Sequence, residues 1–195
     1  MPLRAARGQV FDLTALRAGR ADKAPSMAHT LLVNTKLPRE ITRTEVSKRM
    51  RILLRELGHA RSSMSVVLTS DTEIRALNKN YRGYDEPTDV LAFALREGEF
   101  SEMAGRELGD VIVSVETAER QAREAGKTLM DELTMLLAHG TLHLLGWDHD
   151  TKKKDAAMRA RTDELCAKCV SIEKSVSAHK PVVGIKVKPK TAKRV

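Results

Sequence analysis

The stretch HGTLHLLGWDH, residues 139–149, sets three histidines and a glycine at fixed intervals. His139 and His143 are four apart, Gly146 follows three later, and His149 three after that. Residues four apart on a helix lie one above the other on a single face, so His139 and His143 can aim both imidazoles at one ion. Gly146 lets the chain turn sharply where that helix ends, and the turn brings His149 back as a third ligand. Three neutral nitrogens with one position left open describe a catalytic metal site, because structural zinc sites are closed by four protein ligands, usually cysteines. Imidazole donors suit zinc first, with nickel or copper as alternatives, and suit magnesium poorly. A lone histidine is more often a packing or capping residue. Three of the chain's six histidines within eleven residues, on an otherwise apolar helix, point instead to metal. The scattered His29, His59 and His179 are assigned no role.

Gly140 narrows the chemistry. Metzincin proteases hold zinc on the same spacing, HExxHxxGxxH, and their glutamate activates the attacking water. Here that second position is glycine, so peptide hydrolysis lacks its general base and becomes the weaker reading. Three neutral ligands also leave an ion its full double charge, which can lower the pKa of a bound water or polarise a phosphoryl oxygen. A phosphodiester is a natural substrate for such a centre.

The rest of the chain is consistent with one enzyme domain. At 195 residues with 42% apolar content, it is long enough for a single core and short for two. No apolar run reaches the length of a membrane span, and the N-terminus has no hydrophobic core of a secretory signal. Two cysteines, Cys166 and Cys169, make no disulfide framework, so a reducing cytoplasm is the expected location. The net charge of +8 is unevenly spread. Residues 1–28 carry +3, residues 29–82 carry +6, residues 83–173 carry −8, and residues 174–195 carry +7. The chain thus has basic tails, a basic first half and an acidic second half, unlike a uniformly basic nucleic-acid binder. We read residues 1–28 as a poorly ordered extension, 29–172 as the domain, and 173–195 as a flexible basic tail.

Hydrophobic periodicity places the elements. Strands are expected at 30–35, 63–69, 90–95 and 110–115. Helices are expected at 42–57, closed by Gly58, at 71–81, from Ser114 or Glu116 to Ala125, from Thr128 to about Leu145, and roughly at 152–170. Residues 83–89, GYDEPTD, form a loop, and the polar run after residue 95 is a surface connection. The pattern predicts an α+β fold in which a mixed four-stranded sheet packs with about five helices.

With these residues in view, the chain resembles the YbeY family of metal-dependent bacterial endoribonucleases. HGTLHLLGWDH is similar to that family's HGxLHLxGYDH, LNKNYRGYDEPTDVLAF (77–93) to LNxxYRGxDxPTNVLSF, and ELGDVIVS (107–114) to LGDIxIS. The resemblance covers about residues 31–170, with the motifs in the family's order. It implies a single zinc-type ion on His139, His143 and His149, and it matches Arg82 to the arginine the family needs for activity. It also implies single-stranded RNA as substrate, action in 16S rRNA 3′-end maturation and ribosome quality control, and the ribosomal small subunit or its proteins as partners. The residue chemistry supports Arg82 separately, since a guanidinium fork suits a phosphate and can stabilise charge building on it. Asp89, Ala92 and Ala94 depart from the family's usual Asn, Ser and Pro, and leave the histidines untouched.

Other nearby residues read both ways. Asp148 and Asp110 can orient a ligand imidazole, or serve a turn and a strand end. Tyr81, Tyr84 and Trp147, half of the six aromatics, can stack bases or pack the core. Cys166 and Cys169 lie three apart on one apolar helix face, and packing is the better reading. The rival to a nuclease is a metal-stabilised, non-catalytic ribosome-assembly factor. A metallopeptidase is the weaker alternative.

Overall fold

A computed structural model describes residues 29–95 and 105–178. The N-terminal extension, the connection at 96–104 and residues 179–195 of the basic tail lie outside the described residues. In chain order the elements are β1 (Thr30–Val33), α1 (Arg43–Glu56), β2 (Ser63–Thr69), α2 (Asp71–Arg82), β3 (Val90–Ala94), β4 (Glu107–Ser114), α3 (Val115–Glu124), α4 (Leu129–Leu144) and α5 (Lys152–Ala178). The expected α+β class and four-stranded mixed sheet are what the chain adopts. The strand order is β1-β2-β4-β3, with β1, β2 and β4 parallel and β3 antiparallel to β4.

Helix starts follow the capping signals in the sequence. Thr42 accepts from the Glu45 amide at 3.2 Å while the Glu45 carboxylate accepts from the Thr42 amide at 3.1 Å, a reciprocal box that opens α1. Ser70 caps α2 and Thr128 caps α4 in the same way, each accepting an amide three residues on. Three element bounds differ from expectation by two residues or more. β1 ends two residues early, β4 starts at Glu107 rather than 110, and α5 runs on to Ala178, into the segment read as tail.

The sheet separates two unequal cores. The larger packs α1, α4 and α5 against one face through Val46, Leu53, Val66, Val111, Leu133 and Leu137, among others. The smaller joins Val67, Leu91 and Ile112 to Ile74 of α2 on the opposite face. α4 is buried on most sides, with neighbours on α1, α3, α5, β3 and β4, which accounts for its nearly continuous apolar sequence.

Two glycines set the closest approaches. At Gly140 a Cβ would lie 2.7 Å from Val111 Cγ1, 3.2 Å from Cγ2 and 3.3 Å from Val90 Cγ2, so α4 meets the sheet backbone-close at that point. At Gly109 the backbone has φ +140°, and a Cβ would lie 2.1 Å from the Phe93 carbonyl oxygen. Gly109 is paired with Ala94 in the β3–β4 ladder, and only glycine lets those strands close there. We expect Gly109→Ala to lose about 2–4 kcal/mol of stability, from backbone strain together with a main-chain clash. Chemical denaturation measures this, and an unchanged midpoint would contradict the account.

Candidate metal centre

The motif helix ends in a hydrogen-bonded reversal. The Gly146 amide donates to the His143 carbonyl at 2.9 Å and the Trp147 amide to the Leu142 carbonyl at 3.0 Å, with Gly146 in the left-handed region at φ +80°. This Schellman closure satisfies carbonyls the helix would otherwise leave open and turns the chain back toward its own face. Asp148 then tightens the return, its Oδ1 accepting from the His149 amide at 2.7 Å. The turn-forming role read for Asp148 is the one the hydrogen bonds display. Its charge is also felt by His143.

As a result, His139, His143 and His149 offer ligand nitrogens that all lie within 4.8 Å of one another. The Nε2 atoms of His139 and His143 are 3.2 Å apart. Two nitrogens each 2.0–2.1 Å from one tetrahedral ion would be separated by about 3.3 Å, so this pair is already spaced as metal ligands are. Burial lowers the pKa of His139, with further lowering from His143 and His149, while Asp89 and Asp155 pull the other way. Burial likewise lowers His143, as do His149 and Arg82, against a hydrogen bond to the Trp147 backbone and the Asp148 charge. Neutral imidazoles are the form that binds metal, so the donor set fits a borderline transition ion such as zinc. Among the described residues this is the one group of three or more His, Cys, Asp or Glu side chains close enough to share an ion.

Gly140 lies between two of these ligands yet faces Val111 and Val90 of the sheet. Any Cβ at that position would press on these two valines, so the close packing of helix and sheet favours glycine there. The missing protease glutamate is therefore a packing requirement as well as a chemical difference.

Arg82 closes α2, exposed, and its charge reaches His143. The loop after it is fastened back onto the helix. Asp85 accepts from Arg75 Nε at 2.9 Å and Lys79 Nζ at 2.7 Å, and buried Asn78 donates to the Glu86 carbonyl at 2.9 Å. The carboxylate of Asp85 thus occupies Arg75 and Lys79, and Arg82 has no ion pair among the described residues. Asp89 ends the loop, accepting from the Val90 amide at 2.7 Å and Gln121 Nε2 at 3.1 Å.

Other residues singled out in the sequence lie elsewhere. Asp110 is buried in β4 on the same side as Ile112, whereas Val111 faces α4, so Asp110 points away from the histidine helix. Tyr81 packs edge-on against Phe93 with ring centroids 4.9 Å apart, and Tyr84 is exposed. Cys169 is fully buried in the larger core, and burial pushes the neighbouring Cys166 thiol up to about 11, so both cysteines pack rather than react.

The profile of the family described as Endoribonuclease YbeY matches residues 32–170. This chain belongs to the YbeY family. Among curated YbeY endoribonucleases, that of Heliobacterium modesticaldum is 47% identical over 122 residues, covering 57% of this chain and 74% of the relative. That of Moorella thermoacetica is 48% identical over 112 residues, covering 54% and 72%. The solution structure of a Thermotoga maritima protein superposes with a TM-score of 0.53 at 27% identity, covering 82% of this chain and all of the other. The matched span of the YbeY profile includes Arg82 and all three histidines.

Sequence reasoning missed Glu132, seven residues before His139 on the same face of α4 and only 4% exposed. Burial raises its pKa above the ordinary 4.5, Lys127 opposes this, and the Asp89 charge adds to the rise. A raised folded value means that ionisation costs stability, fully so above that value and not at all below the unfolded one. Glu132→Gln should therefore raise Tm at pH 7, by roughly 2–4 °C for each kcal/mol recovered. The gain should disappear as pH falls toward 4.5. Melting curves across that range test it, and a lower Tm at pH 7 would refute the cost.

Proposed function

We propose that this chain is a zinc-dependent endoribonuclease that cuts single-stranded RNA, acting in the cytoplasm in 16S rRNA 3′-end maturation and ribosome quality control. The observation that carries the reading is the convergence of three imidazoles beside an arginine whose charge is felt at one of them. Family membership supports the nuclease class. His139, His143 and His149 would hold the ion, with nickel or another transition metal as an alternative to zinc. An ion in such a site supplies Lewis-acid polarisation of a phosphoryl oxygen and acidifies a bound water.

The chain's own contributions are positional and electrostatic. Arg82, with no ion pair among the described residues, presents a planar fork of donors to the scissile phosphate and stabilises the charge that builds there. The basic segment 29–82, at +6, draws the strand toward the centre. Rim cations of this kind make binding steeply salt-dependent, as phosphate contacts release counterions. The small-subunit rRNA and its associated proteins are the partners this reading implies. A peptidase is disfavoured because position 140 is a glycine packed on the sheet and supplies no glutamate base.

The test is cleavage of a single-stranded RNA by metal-loaded wild type beside Arg82→Ala, with Tm and metal content measured on both. Arg82 is exposed, so the variant should fold and load normally while kcat falls about 10²–10³-fold. Arg82→Lys should recover only part, since a point charge does not replace the fork. An Arg82→Ala protein as active as wild type would remove Arg82 from the chemistry. If neither protein cuts, yet both bind rRNA and metal, an assembly factor is the correct assignment.

A further inference from the structure

Behind the turn that returns His149 lies a cavity of about 500 Å³ lined by Leu57, His59, Leu144, Leu145, Gly146, Trp147 and Arg161. One wall is the motif turn itself. Leu144 and Leu145 follow His143 directly, and Trp147 lies two residues before His149. The opposite wall comes from the end of α1, where the His59 amide closes that helix on the Leu54 carbonyl at 2.7 Å. Arg161 of α5 is held at the rim. Its Nη2 donates to the Glu56 carbonyl at 3.1 Å and its Nη1 to the Glu164 carboxylate at 2.5 Å.

The lining is an apolar floor of leucines, one indole, one imidazole and one guanidinium, with no acidic side chain among them. Trp147 is 38% exposed although large and apolar, so part of its ring is left without cover. A flat π-face over an aliphatic floor, with a planar guanidinium and an imidazole at the edge, is the chemistry that receives an unstacked nucleobase. The volume falls within the range of small-molecule sites. On the far side of the 57–61 turn a second cavity, of about 430 Å³, is lined by Lys48, Arg51 and Arg55 together with His29. A strand leaving the first cavity across that turn would meet positive charge, as a phosphate backbone requires.

We propose that the Trp147 cavity is a nucleobase subsite, which stacks a base of the RNA strand flanking the phosphate at the metal centre. This rests on the nuclease reading for its substrate and assigns the strand a second point of attachment. One base held against Trp147 while Arg82 engages the phosphate would fix the polarity and register of the strand. It would also restrict the substrate to RNA whose bases are free to splay out, because a paired base cannot enter.

Trp147 is the only tryptophan in the chain, so its fluorescence reports this subsite directly, without reference to catalysis. The experiment titrates metal-loaded wild-type protein with a short single-stranded oligoribonucleotide, and with a strand of equal length and charge that lacks its bases. Saturation is followed by anisotropy of labelled strand. Stacking predicts quenching by the base-bearing strand and none by the abasic one. Alongside, Trp147→Ala with metal content matched to wild type should raise KM about tenfold or more, with a smaller change in kcat, and Trp147→Phe should retain most of the affinity. Quenching without any cleavage would remove the nuclease reading and leave the subsite standing. Cleavage with fluorescence unmoved at saturation, or with wild-type KM in Trp147→Ala, would overturn the subsite alone.

Discussion

The close contact of α4 with the sheet at Gly140 is the constraint on which the site depends. With no side chain between them, the helix backbone lies against Val111 and Val90, which fixes its rotation and depth on β3 and β4. Helical geometry then does the rest. Once position 140 faces the sheet, positions 139 and 143 share a different face, one above the other. The imidazoles are therefore aimed by a packing contact, to which His143 adds a hydrogen bond with the Trp147 backbone. The same contact brings α4 beside the start of β3, so that Asp89, one residue before Val90, sits where His139 and Glu132 both feel its charge.

A second joint positions Arg82 from a distance. Asp71, at the start of α2, accepts from Ser114 Oγ at 2.5 Å and Thr117 Oγ1 at 2.6 Å, and its amide donates to Glu116 at 2.7 Å. Burial opposes ionisation of this carboxyl, but the donors Ser114, Thr117 and Arg120 hold its pKa below the ordinary range. The N-termini of α2 and α3 are thereby locked together over the adjoining ends of β2 and β4, where two helix dipoles favour the negative charge. Eleven residues later the same helix delivers Arg82, and the Asp85 clamp fastens the following loop back onto Arg75 and Lys79. Exposed ion pairs contribute little to stability, so the value of this clamp lies in positioning.

Much of this was legible in the sequence because local signals and tertiary demands agree. The Thr128–Asp131 pair and the glycines at 58 and 146 mark their boundaries within a residue or so. β4 was harder. Its first residues, Glu107-Leu108-Gly109, look like loop because a glycine and an acid precede the apolar run, and only the approach of Phe93 and Ala94 makes that glycine a strand residue. The far end of α5 carries no stop signal of its own, and its apolar contacts at Met158, Leu165 and Cys169 give a helix that continues past the last core residue. Pleat alternation, invisible until register is known, decides that Asp110 faces away from the histidines. The Trp147 cavity was unreadable for a plainer reason. Leu57, Trp147 and Arg161 belong to three segments that meet only in the fold.

The uneven charge of the chain acquires a meaning once the site is placed. The division between the basic segment 29–82 and the acidic segment 83–173 falls immediately after Arg82. The proposed phosphate-contacting arginine is thus the last residue of the basic half, and all three histidines belong to the acidic half. A divalent cation and a polyanion need fields of opposite sign, and a uniformly charged surface would favour one at the expense of the other. Asp89 and Asp155 act by charge on His139 and Asp148 on His143, and none of the three belongs to the group of ligand side chains. The net charge of +8 is thus a sum that conceals unlike parts, +6 over residues 29–82 and −8 over residues 83–173.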